Sequence, residues 1–300
     1  MIDILLGVML PVVLVAAIGS AVAQRAGLTA EPIATLTFNL LSPALVFQSL
    51  RDIRATSSTV GRVVAVIIIG FAITAVVSAL WSRATGEDRA TAAAAALCSA
   101  VANMGNMGLP VAALAFGERG LDVAAVAFVV SSVLTYSVGV VIASLAAGPA
   151  RGALSAPLRV PALWASAAAL AVRYGGVPVP GFVEDTAATM AGAAIPLMLV
   201  VLGLQIRNHA PTMADLRPVG GALAVRLCIG PAVAAAAVAT MGLEGVPGRT
   251  VILLGGMPTA VNTTILAAQY DAKPGLVTQA VVASSLVSLV TLTTLLLLLR

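Results

Sequence analysis

Apolar residues run in blocks of about twenty along the whole chain, a length that spans the hydrocarbon core of a bilayer. The first reads "IDILLGVMLPVVLVAAIGSAVA" and the last "VTQAVVASSLVSLVTLTTLLLLL". Short polar stretches separate them. This pattern predicts ten membrane-spanning helices over residues 3–23, 32–50, 61–82, 92–115, 122–147, 160–177, 184–206, 217–241, 250–270 and 275–299. The sixth is short and ends near Arg173, whose side chain can snorkel to the interface. Ala21-Val22-Ala23 looks like a signal-peptide cleavage site. Yet the leading residues carry Asp3 and no basic residue, so the first block is read as a span.

The halves of the chain resemble each other. Pro43 in "SPALVFQSLRDI" recurs as Pro196 in "IPLMLVVLGLQI", and "VVSSVLT" from Val129 recurs as "VASSLVS" from Val282. Both pairs sit at an offset of 153 residues, about half the chain. The expected domains are a first five-helix repeat over 1–147, a connecting loop over 148–159 and a second repeat over 160–300. Five spans per repeat is an odd number, so the second repeat enters the membrane from the opposite face. That is the inverted architecture of many secondary transporters.

Composition sharpens the class. Of 300 residues, 60% are hydrophobic and 9% charged, against about 25% charged in soluble domains. The mean hydropathy is +1.07. The expected fold class is therefore an all-α polytopic membrane protein. The net charge of +4 comes from loop arginines and forms no patch for nucleic acid. Basic residues divide seven to eight between the two sets of loops, Arg226 left aside. That small bias puts the termini on the non-cytoplasmic side. The two cysteines, Cys98 and Cys228, lie in apolar runs and read as buried thiols. One histidine, His209, is too little for a His-based metal site, and no metal or cofactor is expected. No hydrolytic constellation and no phosphate-cradling G-x-x-x-x-G-K-[ST] motif is present, so neither an enzyme nor ATP coupling is indicated.

Two spans are interrupted. The fourth contains "ANMGNMGLPVAALAFG" and the ninth "VILLGGMPTAVNTTILAAQY". Proline removes a backbone donor, and glycine lets the chain leave helical geometry. Freed backbone groups cost several kcal/mol each in lipid, so such breaks survive only around protein or a wet cavity. The fourth span is expected to break over Asn103–Pro110, with Pro110 in the first turn of the new half-helix. Half-helix N-termini at mid-membrane favour an anion. The expected substrate-binding residues are Asn103, Asn106, Pro110, Pro258, Thr259 and Asn262. Gly105, Gly108, Gly255 and Gly256 form the crossover backbone.

The stretches "ANMGNMGLPVAALAFGERGLDVAA" and "GGMPTAVNTTILAAQYDAKPGLVTQAVVASSLVSLVTL" resemble the auxin efflux carrier family, and the likeness extends over nearly the whole chain. That family includes the plant PIN auxin exporters and bacterial permeases assigned to malate and similar carboxylates. The chain lacks the long central hydrophilic loop of the plant exporters and is similar to the compact bacterial type. The resemblance implies crossed broken helices four and nine. It implies a scaffold of spans one, two, six and seven and a transport domain of spans three to five and eight to ten. It also implies elevator-type movement and a homodimer.

Asn39, Ser42 and Gln48 in the second span are candidate substrate contacts from the scaffold side, with helix–helix hydrogen bonding as the alternative. Ser131, Ser132, Thr135 and Tyr136 in the fifth span read the same way. Arg226 lies within the eighth span. Snorkelling or pairing with loop acids is the preferred reading, and attraction of a substrate anion the other. The expected function is secondary transport of a small organic anion, a carboxylate, across a bacterial inner membrane, with lipid around the protein. The alternatives are a sodium-coupled organic-anion symporter and a membrane receptor or channel.

Overall fold

The computed structural model describes residues 7–8, 10–146, 158, 160–208 and 216–299, with side chains 205–208 left aside. Most of the expected 148–159 connection and His209 lie outside the described residues. Among the described residues every regular element is helical. The order is α1 (Leu10–Arg25), α2 (Ala30–Leu36), α3 (Ser42–Arg51), α4 (Ser57–Ala84), α5 (Arg89–Ala100), α6 (Leu109–Leu134), α7 (Val140–Ser144), α8 (Pro161–Gly175), α9 (Gly181–Asn208), α10 (Leu216–Ala224), α11 (Gly230–Thr240), α12 (Gly245–Gly255), α13 (Asn262–Gln269) and α14 (Pro274–Leu298). The continuous α1 runs through Ala21–Ala23.

Four π turns join neighbouring helices, at Thr37–Leu41, Met104–Gly108, Thr135–Gly139 and Val225–Ile229. Three of them end two residues before a proline: Pro43, Pro110 and Pro231. A proline cannot donate to the carbonyl four residues back, and its ring crowds that carbonyl. Widening the preceding turn removes the crowding without ending the helix. The segment Met104–Ser144 holds 41 helical residues. At 1.5 Å per residue it would run about 60 Å, twice a bilayer core. Gly117, with φ of 62°, bends it there.

Six helical stretches are long and apolar enough to cross a membrane: Ala30–Arg51, Ser57–Ala84, Met104–Ser144, Gly181–Leu204, Leu216–Thr240 and Pro274–Leu298. Their outer faces are apolar. Val76, Leu80, Phe182 and Val290 are each more than half exposed. The inner face of α4 is apolar in its first half, through Val63, Val66, Ile67 and Phe71, and small and polar in its second. Thr74, Ser78 and Ser82 recur every four residues on its buried side, and Thr74 Oγ1 donates to Gly70 O at 2.7 Å. Apolar outside with small polar residues inside is the signature of helices packed in lipid. The protein is an integral membrane protein.

The helices pack in two groups. In one, α3 lies against α8 and α9, and α9 against α1. In the other, α4 packs on α5 and α6, α12 on α6 and α11, and α10 on α5 and α14. Arg51 binds the first group at one end, pairing with Asp52 and Glu184 at 2.8 Å each and receiving Arg173 Nη1 on its carbonyl at 2.9 Å. The groups meet where α3 touches α6 and where the turn Met104–Gly108 touches α9.

The cysteines are both free, but only Cys98 is buried; Cys228 is exposed on the outer surface. Its half of the expectation of two buried thiols is corrected.

Candidate functional site

Helix α5 ends at Ala100, and the chain extends through Val101 before the helical turn from Met104. Helix α12 ends at Gly255, and α13 starts at Asn262. The two extended stretches lie side by side in an isolated antiparallel bridge between Ala102 and Thr259. Asn103 N donates to Pro258 O at 2.7 Å and Ala260 N to Val101 O at 2.9 Å. Each break thus supplies the partners that the other lost, which answers the cost of unpaired backbone inside a membrane.

The first break lies earlier than the sequence indicates. The non-helical residues are Val101–Asn103, and the π turn Met104–Gly108 already belongs to the new helix. Gly108 N reaches back five residues to Asn103 O at 3.0 Å. Pro110 is therefore buried beyond that wide turn, outside the terminal turn of the half-helix. The glycine at 108 serves closeness: a Cβ there would meet Leu254 Cδ2 of α12 at 3.0 Å and Asn103 O at 3.3 Å. A Cβ on Gly255 would lie 2.7 Å from Ala234 Cβ of α11.

Beside this junction is an open cavity of about 70 Å³. One wall is Ala34, Phe38 and Ser42 from the α2–α3 stretch, in the first packing group. The opposite walls come from the two breaks and from the α6–π stretch of the second group. Asn103, Gly105, Asn106 and Asn262 line it. Among the described residues no charged side chain does.

The expected site residues therefore separate. The cavity gathers Asn103, Asn106, Asn262, Gly105 and Ser42. Pro258, Thr259, Gly108, Gly255 and Gly256 are buried in the junction outside the cavity lining, as Pro110 is outside it. Thr259 has its hydrogen bonds filled from within: Oγ1 donates to Cys98 O at 2.9 Å, and N donates to Ser284 Oγ at 3.1 Å. Asn39 is exposed and donates to Thr35 O at 3.0 Å, one turn back in its own helix. Gln48 is half-buried and away from the cavity.

Asn262 and Asn103 differ in what they have left to offer. Asn262 Nδ2 donates to Tyr136 Oη at 3.3 Å. Asn103 Nδ2 is buried and has no partner among the described residues. A buried amide donor without an acceptor costs about 1–3 kcal/mol, so it marks a place where a partner belongs. The aromatic wall is Phe38, Phe128 and Tyr136, with the Phe38 and Tyr136 ring centroids 6.3 Å apart. Phe38 and Phe128 escaped notice in the sequence, although their spacing signals them. Ala34, Phe38 and Ser42 recur every four residues, and Phe128, Ser131, Ser132, Thr135 and Tyr136 trace one helical face.

Arg226 neither snorkels nor pairs with an acid among the described residues. It is 4% exposed. Its Nη1 donates to Ser99 O at 2.8 Å and to Ala100 O at 3.4 Å, and its Nη2 to Gly255 O at 2.5 Å. It does not line the cavity.

Comparisons with known proteins follow the same outline. A family described as "Membrane transport protein" matches over residues 4–151 and again over 151–296. An uncharacterized transporter of Methanothermobacter thermautotrophicus is 28% identical over 261 residues, covering 86% of this chain and 85% of that protein. A probable auxin efflux carrier component 1b of Oryza sativa subsp. japonica is 28% identical over 115 residues, 38% of this chain and 21% of the plant protein. The chain is a member of the membrane transport protein family, the family of the auxin efflux carriers.

Proposed function

We propose that the protein is a secondary carrier of a small organic carboxylate, held in the cavity beside the two helix breaks. The observation that carries this reading is the unpartnered Asn103 amide, buried at the cavity wall where one half-helix begins. The first N–H groups of a helix have no partner inside it, and its positive dipole end favours an anion. Asn106 and Asn262 extend the polar end of the site, and Phe38, Phe128 and Tyr136 face the apolar body of the substrate. Among the described residues no basic side chain lines the cavity, and amides and helix dipoles carry the recognition.

The same proposal covers the architecture. Ten spans form two inverted five-helix repeats, over 1–147 and 160–300, with the breaks as equivalent elements that cross. The group of α1, α2, α3, α8 and α9 acts as scaffold, and the remaining helices move as the transport domain in an elevator cycle. The cavity's position between these packing groups supports that division. The carrier works as a homodimer in the inner membrane with both termini on the non-cytoplasmic side. Cysteines placed at Ser57 and Thr212 then react with an impermeant thiol reagent from opposite faces. Labelling of both from one face overturns the inverted repeat.

The functional test is counterflow. Proteoliposomes loaded with unlabelled carboxylate accumulate the labelled compound transiently if the protein is a carrier. The panel comprises dicarboxylates, indole acids and amino acids. A receptor binds without flux, and a pore passes current without counterflow; either result overturns the carrier reading.

A further inference from the structure

Ser99 and Ala100 are the last two residues of α5, and Gly255 is the last of α12. Carbonyls at these positions lack a partner within their own helix, and each helix end carries about half a negative charge. Two such ends sum to about one charge, which a single guanidinium balances. Arg226 reaches both ends from a third helix, donating to all three carbonyls. It makes no ion pair with a carboxylate among the described residues.

The surroundings are shaped to this group. Arg226 sits in the π turn Val225–Ile229, which the following Pro231 opens. Gly230 leaves room for the guanidinium. A Cβ on Gly230 would strike Arg226 Nη2 itself and would lie 2.5 Å from Gly255 O.

In secondary transporters, half-helix C-terminal ends and unwound carbonyls are where a coupling cation is coordinated. We propose that Arg226 is the resident cation of this junction. Its guanidinium holds the C-terminal ends of α5 and α12 together, positions the breaks that follow them, and takes the place that sodium would occupy. Arg226 is thus a positioning residue, and no metal ion is needed there. This inference stands on the contacts of Arg226 and does not require the carboxylate reading.

The test uses the melting temperature of purified full-length protein, so it does not depend on knowing the substrate. Wild type and Arg226→Ala are melted in choline chloride, in sodium chloride, in low-millimolar guanidinium chloride and in urea at the same concentration. Wild type melts alike in all four. Arg226→Ala melts lower, and guanidinium raises it by several degrees while urea, its neutral isostere, does not. Wild-type-like melting of the variant, absence of guanidinium rescue, or equal rescue by urea overturns the proposal. So does sodium-dependent melting of the wild type. Should Arg226→Ala not fold, Arg226→Lys, which keeps the charge but not the fork, is expected to melt below wild type and clearly above Arg226→Gln. Equal melting of those two shows that the charge has no role and also overturns it.

Discussion

The two helix breaks solve one problem with different chemistry. Each exchanges backbone hydrogen bonds with the other, through Asn103 N to Pro258 O and Ala260 N to Val101 O. Their side chains then diverge. The second break spends Thr259 on structure, tying its hydroxyl to Cys98 O and its N–H to Ser284. The first break leaves Asn103 Nδ2 buried without a partner among the described residues. The entry helices differ too. Asp88 caps α5 by accepting from Thr91 N at 2.9 Å and Thr91 Oγ1 at 3.0 Å, whereas Glu244 makes no side-chain cap for α12. Both breaks hold the junction through their backbones, and the first in addition leaves a buried amide donor unpartnered among the described residues.

The largest effect is expected where the backbones are closest. Gly255→Leu places a branched side chain where even a Cβ lies 2.7 Å from Ala234 Cβ and 3.1 Å from Gly230 O. Overpacking costs about 1–3 kcal/mol and occasionally more, and contacts this close put the cost at the upper end. The variant should fail to yield a monodisperse peak in gel filtration. A well-behaved peak with wild-type melting would show that α11 and α12 are not so tightly fixed.

Thr259→Val keeps the side-chain shape and removes the donor to Cys98 O. It should destabilise by about 1–3 kcal/mol while leaving carboxylate affinity unchanged. Thermal melting and calorimetric binding on one preparation separate these outcomes. Loss of affinity at unchanged stability would move Thr259 from the frame to the site.

Tyr136→Phe removes the acceptor of the Asn262 amide. A neutral hydrogen bond is worth about 0.5–1.5 kcal/mol, so affinity should fall by roughly two- to tenfold. An unchanged dissociation constant would mean that the pair does not orient Asn262 for the substrate.

The smallest effect belongs to Asp88, at the exposed entry of α5. Its carboxylate is held below the ordinary range, first by the Thr91 N–H, then by the Thr91 hydroxyl, with Lys273 at 3.5 Å adding a smaller share. A lowered folded value means that the contribution is complete above about pH 4 and is lost as pH falls through the folded value. Asp88→Ala should cost about 0.5–1 kcal/mol at pH 7. Its deficit relative to wild type should shrink as pH falls below the ordinary carboxylate range. A deficit that does not change with falling pH would show that the ionised carboxylate is not the source.

How far the sequence foretold this can be judged residue by residue. Hydropathy located the helical stretches, because lipid-facing surfaces must be continuously apolar. Glycine, proline and asparagine located both interruptions, because those residues are costly in a plain span. The position of the first break was misjudged because Pro110 was assigned to a helix start, whereas a π turn absorbs it inside a helix. Pro258 and Thr259 were grouped with the amides because composition cannot tell a satisfied hydroxyl from a free amide. The partner of Arg226 was illegible for a related reason: its acceptors are main-chain carbonyls 29 to 127 residues away, which carry no side-chain signature. Phe38 and Phe128 were legible from helical periodicity alone.

The central claim is that the unpartnered Asn103 amide meets the carboxylate. It is tested most directly by Asn103→Ala, with carboxylate affinity and melting temperature measured on the same purified protein. A charge-assisted hydrogen bond of about 1.5–3 kcal/mol predicts a roughly ten- to hundredfold weaker dissociation constant. The melting temperature should stay at or above wild type, because the variant no longer buries a donor without an acceptor. Wild-type affinity together with a lowered melting temperature would contradict the account and make Asn103 part of the frame.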